Sequence, residues 1–212
     1  MKIYGFPLSP FVRKVLVAIH EKGLEAELVP SNPGQPDEEF LSVSPLGKIP
    51  AFRDGDFALA DSTAIVTYLD VKYPEPALLP AAAEARGRAI WFEEVADTVL
   101  TPAGAPIVLN RFLRPRIFGV EADEAAAVAA EEALGMPLGY LEGAVGDEWI
   151  DGAFSVGDIA LASVIRTLGY TGWALDAGAY PRLSAWYGRV SARDAWKAAV
   201  AVEEGIFKAL GI

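Results

Sequence analysis

Residues 44–69 read SPLGKIPAFRDGDFALADSTAIVTYL. Two short apolar runs, Ala51-Phe52-Arg53 and Phe57-Ala58-Leu59, flank Asp54-Gly55-Asp56, an order that predicts a tight β-hairpin. The turn Gly47-Lys48-Ile49-Pro50 precedes it, and Pro50 can stand at the first position of a strand, where its missing N–H costs nothing. From Ser62 a helical stripe follows, with Ala64, Ile65, Tyr68 and Leu69 on one face, and it stops before Pro74.

Upstream, Lys2 to Gly5 reads as a short strand, and a Phe-Pro-Leu-Ser-Pro loop leads into a helix over residues 10–22. Its apolar stripe is Phe11, Val12, Val15, Leu16, Ala18 and Ile19, and Gly23 ends it. Glu25 to Val29 predicts a second strand, SNPGQP (31–36) a loop, and Asp37 to Val43 a short helix. The order β-α-β-(α)-β-β-α implies a small mixed sheet with helices packed on it, about 75 residues long. Downstream, PEPALLPAAAEA (74–85) carries Pro74, Pro76 and Pro80 and reads as a linker. Beyond it helical patterns cover 84–112, 122–144, 155–170, 181–192 and 194–210, with breaks expected at Pro102, Pro106, Pro115, Pro137 and Pro181. The expected architecture is an α/β domain followed by an all-α domain.

Composition narrows the chemistry. The 212 residues carry 18 basic and 29 acidic side chains, a net charge of −11, so nucleic acid is an unsuitable partner. No apolar run reaches the roughly 18 residues a membrane helix needs, and MKIYGFPLSP lacks the pattern of a signal peptide, so the expected location is cytoplasmic with no membrane partner. There is no cysteine and one histidine, His20. Disulfides, a protein thiol nucleophile, a histidine triad and multi-histidine metal sites are therefore excluded, and no metal is expected.

The remaining candidates are hydroxyls, carboxylates, cations and backbone dipoles. Ser9 is a natural N-cap with Pro10 at the first helical position, and two readings stand. It caps the first helix only, or its hydroxyl also donates to an anion held at that helix's N-terminus. Pro50 is an ordinary trans edge proline, or a cis one that frees the Ile49 N–H and C=O to pair with a peptide-like ligand. Asp61-Ser62 caps the next helix, or offers backbone N–H groups and the Ser62 hydroxyl to a carboxylate and Asp61 to an ammonium group. An α-amino acid end carries both charges. Lys48 is a solvated lysine or an attractor for a second carboxylate, while Arg13 and Lys14 are expected to be surface charges. Ser155-Val156-Gly157-Asp158 fits a capping box, with Phe154 and Ile159 as a hydrophobic staple, so Asp158 reads as a helix cap rather than a general base.

These segments together resemble the cytosolic glutathione S-transferases of the serine-type, theta/phi-like bacterial group. The likeness rests on SPLGKIPAFRDGDFALADSTAIVTYL, the Ser9-Pro10 helix and the FSVGDIALA box, and extends over the whole chain. It implies a thioredoxin-like glutathione-binding domain at 1–76, a linker at 77–84 and an all-helical domain at 85–212 in a twofold homodimer. It further implies that Pro50 is cis, that Ile49 pairs with the cysteinyl backbone of glutathione and that Asp61 and Ser62 bind its γ-glutamyl end. By the same resemblance, Lys48 would lie toward the glycine carboxylate and Ser9 would donate to the sulfur. A hydrophobic substrate site is expected from Phe6, Leu8, Phe11, Ile107, Arg111 and Phe118. The chain departs from the group at Gln35-Pro36, where members commonly carry a His-Lys pair for the glycine carboxylate, and Gln35 is the expected contact there. The implied reaction is conjugation of the glutathione thiolate, as co-substrate, to a small hydrophobic electrophile. A non-catalytic glutathione-transferase-like binding protein and a glutathione-dependent peroxidase are the alternatives.

Overall fold

The computed structural model describes residues 1–211. The chain divides into two compact units: Met1–Leu79 joined by the chain from Ala192 onward, and Pro80–Ser191. Among the described residues no helix is long and apolar enough to cross a membrane.

The first unit is built on four strands, β1 (Lys2–Gly5), β2 (Glu27–Pro30), β3 (Ala51–Asp54) and β4 (Phe57–Ala60), in the order β2-β1-β3-β4. β1 runs parallel to β2 and antiparallel to β3, and the hairpin closes with Asp54 opposite Phe57. Gly55, at φ +61°, adopts the left-handed backbone that this short turn requires. Three helices join the strands: α1 (Pro10–Glu21), α2 (Glu38–Val43) and α3 (Ser62–Lys72). α1 lies close over the end of β1, where a side chain on Gly5 would run into Val12. Tyr4, Phe40, Val43 and Ala51 form one buried cluster of this unit, with Ile49 packed against it.

The exit from α3 is pinned rather than loose. The Lys22 ammonium donates to Asp70 at 2.8 Å, to the Tyr73 carbonyl at 2.7 Å and to the Pro76 carbonyl at 2.9 Å. Asp70 in turn accepts from the Leu78 and Leu79 N–H groups, and both leucines are buried. Part of the expected linker is thus core.

The second unit contains α4 (Ala83–Glu94), α5 (Thr101–Val108), α6 (Glu124–Ala144), α7 (Val156–Gly169) and α8 (Pro181–Ala192). Pro181 opens α8 as expected, but the earlier prolines do not break the helices. Pro106 and Pro137 lie inside α5 and α6, and Pro115 lies inside a π-helical stretch. Helix persists from Ala83 to Phe118 because wider π turns at Val95–Leu100 and Leu109–Phe118 change the hydrogen-bond register around the prolines. Side chains support the altered ladder: the Thr101 hydroxyl donates to the Ala96 carbonyl at 2.8 Å and the Asn110 amide to the Pro106 carbonyl at 2.9 Å.

α9 (Asp194–Leu210) is helical as its pattern predicts, but belongs to the first unit and not to the helical one. The cause is chemical. Arg13 and Glu203, both without exposed surface, form a buried bidentate ion pair, with Nη2 to Oε2 at 2.7 Å. Arg193 adds a second pair with Glu21 at 2.6 Å. Arg13 and Lys14, expected at the surface, are both buried, and for Arg13 a partner 190 residues away supplies the compensating charge. Ile212, the last residue of the expected helical domain, lies outside the described residues.

Candidate functional site

The strand register gathers the candidates. β1 ends at Gly5, opposite the start of β3 at Ala51, because Tyr4 pairs with Ala51 in the antiparallel ladder. Ala51 also pairs with Ala60, so β4 ends where β3 begins. β2, parallel to β1, ends there too, with Pro30 beside Gly5. The loops that leave this one edge carry Ser9, Gln35, Ile49-Pro50 and Asp61-Ser62. A hydrogen bond ties two of them directly: the Asp61 N–H donates to the Pro50 carbonyl at 3.2 Å.

Ser9 sits at the N-cap of α1 in extended backbone, and its Oγ accepts a long bond of 3.4 Å from the Val12 N–H. The hydroxyl proton donates to no acceptor among the described residues. The loop around it is fixed by the Ser9 N–H on the Phe6 carbonyl at 3.0 Å. Ser9 is half-buried, and Pro10 occupies the first turn as expected.

The turn before β3 is held from within. The Ser44 hydroxyl donates to the Lys48 carbonyl at 2.7 Å and accepts from the Lys48 N–H at 2.9 Å. Gly47, at φ +65°, makes the corner. The Ile49–Pro50 peptide is cis, as the resemblance implies. Neither the N–H nor the C=O of Ile49 is engaged by any described residue, so both stay available to an added strand. Lys48 is exposed and its ammonium meets no carboxylate of the described residues.

At α3, Asp61 is the N-cap, accepting from the Ala64 N–H at 3.0 Å while its own backbone stands at φ +86°. Among the described residues it is the one non-glycine with positive φ, and its ψ of 130° puts it outside the left-handed helical region. Its side chain is exposed, whereas Ser62 is buried, with 3% of its surface exposed. The pair that could be either cap or site therefore divides: Asp61 caps, and the Ser62 hydroxyl bonds to no described residue. Gln35 lies in the exposed loop after β2.

The apolar candidates fare unevenly. Phe6 and Phe11 are half-buried beside Ser9, and Leu8 is 5% exposed. Phe6 meets Phe207 of α9 edge-on at 6.0 Å. In the second unit Ile107 is fully buried and serves the core, so it presents no surface to a ligand. Arg111 is committed to Glu131 and Glu124, each at 2.5 Å, and these carboxylates hold its guanidinium further toward the charged form. Phe118 is exposed.

Asp158 is a cap, as its spacing predicts. It accepts from the Ser155 N–H at 3.0 Å, the Ile150 N–H at 2.8 Å and the Trp186 indole at 2.7 Å. Burial raises its carboxyl pKa, outweighing the donors that lower it. The residue that the sequence did not single out is Glu203, one of three acidic residues in an amphipathic helix; its burial against Arg13 has no local signature.

Residues 3–77 match the family described as glutathione S-transferase, N-terminal domain, and residues 95–194 its C-terminal domain. A glutathione S-transferase of Hyoscyamus muticus is 32% identical over 208 residues, which cover 94% of this chain and 97% of that protein. The chain belongs to the glutathione S-transferase family. A glutathione S-transferase III of known structure is 34% identical, covering 94% of this chain and 95% of that one, with a TM-score of 0.79. Another solved member, glutathione S-transferase-I bound with lactoylglutathione, is 26% identical, covers 94% of this chain and 98% of its own, and has a TM-score of 0.83. The family's two-part fold, a thioredoxin-like part and a helical part, is the one seen here.

Proposed function

We propose that the chain conjugates glutathione to a hydrophobic electrophile, with Ser9 as the hydroxyl that stabilises the glutathione thiolate. It is read as a serine-type member near the theta/phi group, cytosolic and homodimeric. The observation that carries this reading is the convergence of Ser9, Ile49 and Asp61-Ser62 at one edge of the sheet, each with an unused hydrogen-bonding group. Ile49 pairs with the peptide backbone of glutathione by strand addition, and the α3 N-terminus with Ser62 takes the γ-glutamyl carboxylate. Asp61 takes its ammonium group, while Lys48 and Gln35 face the glycine carboxylate. Phe6 and Phe11 offer apolar surface to the electrophile. Exposed Val71 on α3 and Trp91, Met136 and Tyr140 in the second unit support the dimeric reading.

The energetics fit without a protein thiol. A free thiol of pKa ~8.5 is about 3% thiolate at neutral pH, and lowering that pKa by two units needs roughly 2.7 kcal/mol of preference for the anion. One hydrogen bond to a charged partner supplies about 1.5–3 kcal/mol, and the dipole of α1 adds a fraction more. Ser9→Ala is the test. It should cost about ten- to a hundred-fold in turnover of an aryl halide while calorimetry still detects glutathione binding. Unchanged turnover would refute the role of Ser9.

A further inference from the structure

The loop that presents Ser9 is held by the far end of the chain. Arg13, one turn into α1, is fully buried, and its guanidinium grips the Glu203 carboxylate of α9 with Nε and Nη2. The same Nη2 reaches back to the Pro7 carbonyl at 3.4 Å, two residues before Ser9. Phe207 stands one turn beyond Glu203 on the same face of α9, and its ring meets Phe6 edge-on. The Phe6 carbonyl in turn accepts from the Ser9 N–H. α9 thus bears on the loop before Ser9 at two places, on Phe6 through Phe207 and on Pro7 through the Arg13 that Glu203 holds.

We propose that Arg13 and Glu203 are positioning residues for the Ser9 hydroxyl, so that α9 sets how well the chain ionises the glutathione thiol. The inference rests on the Ser9 reading. A fork-shaped cation is required, because only a guanidinium can hold a carboxylate with two nitrogens and still reach a carbonyl. The carboxylate is required because an uncompensated buried guanidinium would not keep its place. Hydroxyl-to-sulfur hydrogen bonding is steep in distance and angle, so a loop displaced by a few tenths of an ångström loses thiolate preference without losing the glutathione contacts at Ile49 and Ser62.

The test replaces both members of the pair together, Arg13→Met with Glu203→Leu, an exchange that buried ion pairs often tolerate. The readout is the acid limb of kcat/KM for an aryl halide at saturating glutathione, with thiolate absorbance of bound glutathione as a second measure. The limb should move alkaline by about half to one pH unit, a three- to tenfold loss of rate on the acid side, with glutathione affinity nearly unchanged. Arg13→Lys, which keeps the charge but not the fork, should move it the same way by less, and serves if the double variant folds poorly. A purely structural pair would lower Tm and leave the limb in place, which overturns the inference. Ser9→Ala, run alongside, separates the two readings. If it shifts the limb and the pair variants do not, the pair inference fails alone; if it shifts nothing, both fail.

Discussion

Two helix N-termini in this molecule are capped with the help of an aspartate, the N-cap itself in α3 and the third helical residue in α7, and have opposite fates. At α7, Ser155 and Asp158 are 2% and 0% exposed, and the Asp158 carboxylate is surrounded by the Ser155 and Ile150 N–H groups and the Trp186 indole. At α3, Asp61 caps just as well through the Ala64 N–H, yet its carboxylate stays in solvent beside an unpartnered Ser62 hydroxyl. A cap motif therefore does not tell a joint from a site. What separates them is whether the fold has already used the donors and acceptors around it. Gly157 marks the joint, since a Cβ there would stand 2.9 Å from the Phe92 Cβ and 3.0 Å from the Ala89 carbonyl, leaving α7 no room to serve a ligand.

Substitution can break this contrast. Asp158→Ala should have the largest effect on stability, roughly 3–4 kcal/mol, from the lost cap and two buried donors left without an acceptor. Denaturant unfolding measures it, and a loss under 1 kcal/mol would make the two caps alike. Asp61→Asn keeps the capping oxygen and the size of the side chain, so it should leave Tm almost unmoved. It removes the charge offered to the γ-glutamyl ammonium, and glutathione affinity should fall about tenfold, ~1.4 kcal/mol by calorimetry. A Tm loss with intact affinity would reverse the assignment.

The smallest effect is in pH. The folded carboxyl of Asp158 sits above its unfolded value because burial disfavours the charge. Relative to the unfolded chain the folded state then favours the proton, so this group's contribution is fully present below the unfolded pKa and declines as pH rises through the folded one. The stability of the parent chain relative to Asp158→Asn should accordingly increase toward acid. A difference that is flat between neutral and acid pH would mean that the indole and N–H donors offset burial completely.

Much of the fold was legible because its signals are local. The Asp54-Gly55-Asp56 hairpin, the Ser9-Pro10 start of α1 and the Ser155–Asp158 box each rest on residues within a few positions of one another. The failures also have a common cause. Pro106, Pro115 and Pro137 read as breaks, but π turns and the Thr101 and Asn110 side chains let the helix pass through the first two, and α6 continues through Pro137. Arg13 and Lys14 read as solvated, and α9 as part of the helical half, because nothing near residue 13 announces a carboxylate at residue 203. For the candidate site, the identities of Ser9, Ile49 and Asp61-Ser62 were readable, whereas the burial of Ile107 and the ion pairs of Arg111 were not.

The sequence by itself determined the types of group available here: hydroxyls, carboxylates and backbone dipoles, with no thiol and no histidine cluster. It also determined the short-range turns and caps that carry them, since backbone preferences act over a few residues. The tertiary structure alone decided which of those groups are still unused and which helix braces the loop bearing Ser9. Burial and ion pairing are set by partners far apart in the chain, and those partners meet only when the whole chain has folded.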